Sequence, residues 1–312
     1  MELAPLLEAA GLPGRFRSER RLGGGSIADV REITLHDSRS VVIKIGLSAT
    51  SAGLRPPSGG STCAHEEAAG LERLAETRAI GLPKVLGLGV YESRTVLVLE
   101  RLSVVQMPAP SHDAWPRFGR ALADLHSREF GRNDVPSVFG LDHDNHLGRT
   151  PQDNRPMVEW SDFFVVRRLA PMREVLRSTG RITEREDSIL NRLGSAIPDL
   201  LPKNVRPSLI HGDLWSGNVI ATEDRGIALI DPAVCFADPL FELGMMRLFG
   251  GFPAACLEAY VDRLGENRGS VGLEAMEFRI ELGRLHHLLN HWLLFGREYA
   301  AQSISLASRL AG

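Results

Sequence analysis

The chain has 312 residues, 43% of them hydrophobic and 24% charged, with a formal net charge of −3. That describes a globular protein with one large domain or two lobes, and gives no electrostatic basis for binding nucleic acid or an anionic membrane. Three scattered cysteines, Cys63, Cys235 and Cys256, exclude a disulfide framework or a cysteine-built zinc site and favour a reducing, cytoplasmic setting.

The opening MELAPLLEAAGLPGRF, broken by Pro5 and Pro13, predicts a short helix near residues 2–10 and does not fit a secretory leader. No later stretch approaches about 18 uninterrupted apolar residues. RRLGGGSIADVREITL and SRSVVIKIGL then read as antiparallel strands around a Gly-rich turn. Residues 49–62, ATSAGLRPPSGGST, have no core face and read as a loop. A helix is expected over about 63–78, followed by strands in GLPKVLGLGV and RTVLVLERL. Beyond Leu102 the pattern changes to amphipathic helices at about 112–127, 160–178, 183–196, 239–249, 253–265 and 273–296. Only PSLIHGDLWSGNVIA and GIALIDPAV interrupt them with short strands. The expectation is an α+β chain: a small antiparallel-sheet lobe over 1–102, a larger, mainly helical lobe over 103–312, and a ligand cleft between them.

Four places in this frame hold chemistry-bearing residues. Gly23, Gly24, Gly25 and Ser26 allow a backbone to approach phosphate groups closely, though the same string reads equally as a flexible turn. Ala28 breaks the G-x-G-x-x-G pattern, and no Gly-Lys-Ser/Thr follows. Lys44 stands in the apolar strand VVIKIG of a chain whose other lysines are only Lys84 and Lys203. It reads either as a strand-edge cation in water or as the partner of a phosphate loop. Glu67 shares a helix face with Leu71 and Leu74, where a carboxylate is costly without a partner. Lys44 is the natural candidate; an exposed first-turn Glu67 is the alternative.

The fourth place is HGDLWSGN, residues 211–218, directly after the apolar Ser208–Ile210. Asp, Gly, Ser and Asn are ordinary turn residues. Yet Asp213 and Asn218 are followed by Asp231 at the end of the apolar strand GIALID. Asn218 and Asp231 offer hard oxygens suited to Mg²⁺, and Asp213 is left to accept a hydroxyl proton. A Gly-rich hairpin, a strand Lys, a helix Glu, His-x-Asp-x-x-x-x-Asn and a strand-end Asp, in that order, form the layout of a protein-kinase-like bilobal phosphotransferase using ATP and Mg²⁺.

The wording of HGDLWSGNV (211–219), IDPAVCFADPLFELGMMRLFGGFP (230–253) and NHWLLFGREY (290–299) is more specific. It resembles the fructosamine-3-kinase (ketosamine kinase) family of the aminoglycoside-phosphotransferase-like superfamily. LADLHS, DNHLGRTPQDN and HEEAAGLERL support the resemblance more weakly. It implies Asp213 as base, Asn218 and Asp231 as Mg²⁺ ligands, and Lys44 paired to Glu67 on the ATP phosphates. It also implies the backbone of Glu100, Arg101 and Leu102 as an adenine-binding hinge, with Trp215, His291 and Trp292 near a ketosamine acceptor, free or protein-bound. Where parts of the family carry a loop cysteine able to bridge two chains, this sequence has Ser26, so a monomer without a disulfide-linked dimer is expected.

The competing readings are a kinase of the aminoglycoside or choline type and a non-catalytic nucleotide-binding module. Of the other polar groups, His286, His287 and His291 read as a helix facing the cleft, since Leu288 stands where a zincin needs Glu. His126 and His211 read as structural, Trp115 and Trp160 as packing, and Arg167–Arg168 as a solvated helix face.

Overall fold

A computed structural model describes residues 3–23, 29–47, 63–105, 113–128, 138–269 and 272–312. Gly24, Gly25 and Ser26, and the whole of the 49–62 loop, lie outside the described residues. In chain order the elements are α1 (Ala4–Ala9), β1 (Phe16–Arg21), β2 (Asp29–Leu35), β3 (Ser40–Leu47), α2 (Cys63–Glu76), β4 (Val85–Tyr91) and β5 (Arg94–Glu100). After these come α3 (Ala114–Ser127), β6 (Asn145–Leu147), β7 (Thr150–Gln152), α4 (Trp160–Phe163), a π-helical turn (Phe164–Leu169), α5 (Ala170–Ser178) and α6 (Glu184–Leu200). The rest are β8 (Ser208–Ile210), β9 (Val219–Thr222), β10 (Gly226–Leu229), β11 (Cys235–Ala237), α7 (Pro239–Leu248), α8 (Ala254–Arg268), α9 (Leu273–Phe295) and α10 (Ala300–Leu310).

Two compact units result. The first comprises Met1–Pro110 together with Ile220–Ala233. Its sheet is antiparallel in the order β1-β2-β3-β5-β4. Alternation sets the faces: Val41, Ile43 and Ile45 enter a core with Leu6, Leu7, Ile33, Val96 and Val98, so Lys44 points to the opposite face. The sequence division at residue 102 leaves 220–233 with the helical lobe, whereas this hairpin packs with the first unit. Leu229 N–H donates to Gly81 O at 2.9 Å, and Val105 N–H to Ala221 O at 3.0 Å. Arg225 forks onto Glu100 at 2.5 and 2.9 Å and also reaches Leu82 O at 2.7 Å. Backbone pairing with neighbours far away in sequence decides this placement, and strand periodicity does not carry that information.

The second unit, Ser111–Val219 and Val234–Gly312, is mainly helical around a core containing Trp160, Phe163, Phe164, Phe241, Leu285, Leu289 and Trp292. β8 pairs antiparallel with β11, Ile210 opposite Cys235. Arg168 departs from the expected solvated face: it is buried, donating to Asn154 Oδ1 at 2.5 Å and Asp153 O at 2.9 Å, over the Phe163 ring. Arg167 pairs with Asp153 at 2.9 Å. Pro171 is the physical reason. It has no N–H to give and crowds the preceding turn, which takes the π register over Phe164–Leu169 and so departs from the helical face that periodicity assigns to Arg168.

α9 carries His286 and His287 fully within the core, and neither Nδ1 has a partner among the described residues. Burial drives both pKa values down, His287 to about 3. The unfolded chain protonates these rings near 6.5, while the folded protein does so only at much lower pH. The stability they permit is therefore complete above about pH 6.5 and declines as the pH falls toward about 3. His287→Leu should flatten the fall in melting temperature between pH 7 and pH 5; an unaltered acid slope would remove His287 from that role. No described helix is long and apolar enough to cross a membrane.

Candidate active site

In the first unit, Lys44 extends from β3 toward α2. There its ammonium donates to Glu67 Oε1 at 2.6 Å and, in a short contact, to Asp231 Oδ1. α2 turns Ala68, Leu71 and Leu74 into the protein and presents Glu67 to the strand, so the carboxylate has the partner its position demands. Burial disfavours the Lys44 charge, but the two carboxylates outweigh burial and hold its pKa above the ordinary value. Glu67, pushed up by burial and by the charge of Asp231 against the pull of Lys44, rises to about 7. Asp231 follows β10 with φ +57°, a left-handed conformation that Asp tolerates better than most residues and that recurs at functional sites.

The hinge residues sit where β5 ends. Glu100 N–H is engaged with Lys84 O at 2.8 Å and its carboxylate with Arg225, while Arg101 reaches Glu32 at 2.8 Å. The Leu102 side chain is buried. Gly23 is exposed at the edge of the loop.

In the second unit, the 211–218 loop leaves the buried strand β8. Gly212 has φ +82°, which turns the chain immediately before Asp213. Asn218, also buried, donates through Nδ2 to Asp213 O at 2.8 Å and to Asp213 Oδ2 at 3.3 Å. These bonds fix the amide and orient its oxygen away from Asp213.

Sequence reasoning missed what holds this loop. Glu242 on α7 is 1% exposed and accepts His211 N–H at 2.7 Å, Gly212 N–H at 2.8 Å and His126 Nε2–H at 3.3 Å. Burial alone would raise its pKa, but the hydrogen bond and charge of His126, with the His211 contacts, bring it below the ordinary value, so it is ionised. His126 and His211 are both buried parts of this anchor, as expected of structural histidines. α7 is itself seated by Asp238, whose Oδ1 caps Leu240 N at 2.9 Å and whose carboxylate forks onto Arg279 at 2.6 and 2.7 Å.

Trp215 lies on the solvent side of the loop and His291 on α9, joined through Phe249. A Cβ on Gly217 would come within 2.3 Å of the Trp215 ring, so only glycine leaves room for that indole. Trp292 does not join them. It is 0% exposed in the helical core, because one residue along α9 turns the side chain about 100° away from His291. The acceptor contact expected of Trp292 gives way to a packing role.

Comparison with known proteins agrees with this architecture. The fructosamine kinase family model matches residues 5–311. A probable ketoamine kinase of Synechocystis sp. is 34% identical over 76% of this chain and 75% of its own, and the ketosamine-3-kinase of Mus musculus 28% identical over 78% and 82%. A fructosamine-3-kinase candidate of Thermobifida fusca, solved by crystallography, superposes with TM-score 0.78 at 28% identity over 99% of this chain and 97% of that one. An aminoglycoside phosphotransferase, at TM-score 0.60 and 19% identity over 96% and 95%, shares the kinase-like fold alone. A match across nearly the whole chain, on a bilobal kinase-like fold with the lysine, glutamate and aspartates described above, leads to one conclusion: the chain belongs to the fructosamine kinase family.

Proposed function

We propose that the protein transfers the γ-phosphoryl group of ATP to the 3-hydroxyl of a ketosamine, a sugar adduct of an amine. The observation that carries the reading is the Lys44–Glu67–Asp231 cluster, occurring in a chain whose fructosamine kinase match runs from residue 5 to 311. Phosphoryl transfer depends mainly on positioning and on neutralising charge. Lys44, kept protonated and braced by Glu67, is suited to hold the ATP phosphates, with Gly23, Gly24, Gly25 and Ser26 covering them. The functional lobe boundary falls at Glu100–Leu102, whose backbone binds adenine. With Glu100 N–H already engaged, the donor comes from Arg101 or Leu102. Asp213 accepts the proton of the attacking hydroxyl, and Trp215 and His291 orient the sugar.

The donor set fits Mg²⁺. Asn218 uses its nitrogen on Asp213, which leaves Oδ1 as its ligand atom, and Asp231 carries carboxylate oxygens that already attract the Lys44 cation. When bound, Mg²⁺ supplies charge neutralisation on the phosphates. Phosphorylation at that carbon makes a leaving group: β-elimination expels phosphate, and hydrolysis of the resulting imine frees the amine, so the biological role we assign is deglycation. The protein acts as a monomer in the cytoplasm on this reading.

A side-by-side turnover assay with ATP on ribulosamine, fructosamine and an aminoglycoside tests it. Ketosamines should be phosphorylated and the aminoglycoside not. Turnover of the aminoglycoside alone would reverse the substrate class, and ATP binding without turnover on any acceptor would leave a non-catalytic module.

A further inference from the structure

Within the first unit, the β9–β10 hairpin is stitched to the segments on either side of β4 and β5. Leu229 N–H donates to Gly81 O at 2.9 Å, and a Cβ on Gly81 would stand 3.1 Å from both Arg225 Cβ and Ile227 O, so glycine permits the close approach. Past the hinge, Glu223 N–H donates to Ser103 O and Val105 N–H to Ala221 O, each at 3.0 Å. Between these seams Arg225 reaches the hinge itself. Its Nη1 and Nη2 fork onto Glu100 at 2.9 and 2.5 Å, Nη1 also donates to Leu82 O at 2.7 Å, and Nε donates to Asp224 at 3.1 Å. The hydrogen bonds from Arg225 hold the Glu100 carboxyl below its ordinary pKa.

The same hairpin delivers Asp231. Thr222 Oγ1 closes the turn, accepting Arg225 N–H and donating to Gly226 O, both at 3.1 Å. β10 then leads to Asp231, two residues past its end at Leu229. Asp231 holds the Lys44 ammonium, and Lys44 on β3 stands opposite Leu97 on β5, the strand that ends at Glu100. These contacts close a ring: Glu100, Arg225, β10, Asp231, Lys44, and back along β5 to Glu100. One side of the ring is the strip assigned to adenine, and the other is the cluster assigned to phosphates and metal. Arg225 is the link between hairpin and hinge.

We infer that Arg225 is a positioning residue: its fork on Glu100 fixes the spacing between the adenine strip and the Lys44–Asp231 cluster, so that the base and phosphates of one nucleotide are bound as a unit. The inference rests on the ATP reading of the site and adds a residue outside the set that reading uses. Two subsites at a fixed separation reinforce each other through effective concentration, and the gain falls when the separation varies. A loosened hairpin therefore weakens a ligand that spans both ends and leaves a ligand of the base end nearly unaffected. Arginine suits the task because its planar fork fixes orientation as well as distance on a carboxylate, which a lysine ammonium does not. Arg101 is braced differently. It donates to Glu32 at 2.8 Å, and Glu32 also accepts Arg20, so this brace ties the hinge to β1 and β2 rather than to the hairpin.

The test is a binding titration of ATP with Mg²⁺ and, separately, of adenosine, on the wild-type protein and its variants. Arg225→Ala should weaken ATP by about tenfold and adenosine by less than about twofold, a coupling typical of residues joined through one contact. Arg225→Lys keeps the charge and loses the fork; it should show the same selectivity at about threefold, and it carries the test if the alanine variant does not fold. Adding Glu100→Ala to Arg225→Ala should weaken ATP no further than the larger single effect. Glu32→Ala should alter ATP and adenosine alike. Equal weakening of both ligands in the arginine variants would make Arg225 a structural prop and overturn the inference. Unchanged ATP affinity, or an equally ATP-selective loss in Glu32→Ala, would overturn it too, while leaving the kinase reading intact. Failure of wild-type protein to bind ATP would overturn that reading, and the inference with it.

Discussion

Asp213→Asn should lower kcat by about 10²–10⁴-fold while ATP affinity stays close to wild type, the loss typical of removing a general base. The substitution is aimed at chemistry because the bonds from Asn218 and the Glu242 anchor survive it. Asn218 Nδ2 donates to the backbone carbonyl of residue 213 at 2.8 Å, and an asparagine side chain still offers an oxygen where Asp213 Oδ2 accepts at 3.3 Å. Glu242 continues to hold the loop through His211 and Gly212. What disappears is the carboxylate that we propose as the proton acceptor for the attacking hydroxyl. Single-turnover kinetics with a titration of nucleotide binding separate the two effects. Near-normal turnover would remove Asp213 from the role of base, and lost ATP affinity would make it a binding residue.

Glu242→Ala should be the most damaging single change to the fold. It leaves two backbone N–H groups and the Nε2–H of buried His126 facing a cavity with no acceptor. Each unsatisfied buried polar group costs about 1–3 kcal/mol. A loss of about 3–5 kcal/mol is expected, on the order of 10 °C in melting temperature for a chain of this size. Glu242→Gln should fall between, since one oxygen remains but an NH₂ now meets a donor. Activity measured well below the melting point should still be reduced, because the loop carrying Asp213 loses its anchor. Wild-type stability in the alanine variant would show that the loop is held by β8 and β11 alone.

Much of this site was legible because its residues violate local expectation. Lys44 in an apolar strand and Glu67 on the packed side of α2 each needed a partner, and period-2 and period-3.6 arithmetic aimed each toward the other. Asp213, Asn218 and Asp231 stood out by spacing. Glu242 was invisible for the opposite reason: PLFELGMM reads as an apolar buried helix, and the partners of its one acid are two backbone N–H groups about thirty residues away and a histidine 116 residues away. Arg168 escaped because helical periodicity assumes an unbroken register, and Pro171 breaks it. Trp292 was misplaced on a helix whose polar and apolar residues are poorly segregated, where pattern alone does not say which face meets solvent. The alliance of Ile220–Ala233 with the N-terminal sheet lies in hydrogen bonds between distant segments, Arg225 to Glu100 and Leu229 to Gly81, and no local pattern encodes them.

The most direct measurement is the position of the phosphate on the product. Wild-type protein incubated with ATP, Mg²⁺ and fructosyl-lysine peptide should yield one phosphorylated species, with phosphorus–carbon coupling in NMR placing the group on the sugar's third carbon. The same product should be about 10²–10⁴-fold slower to appear with Asp213→Asn. Phosphate on another hydroxyl, or ATP consumed with the ketosamine unchanged, would contradict the account.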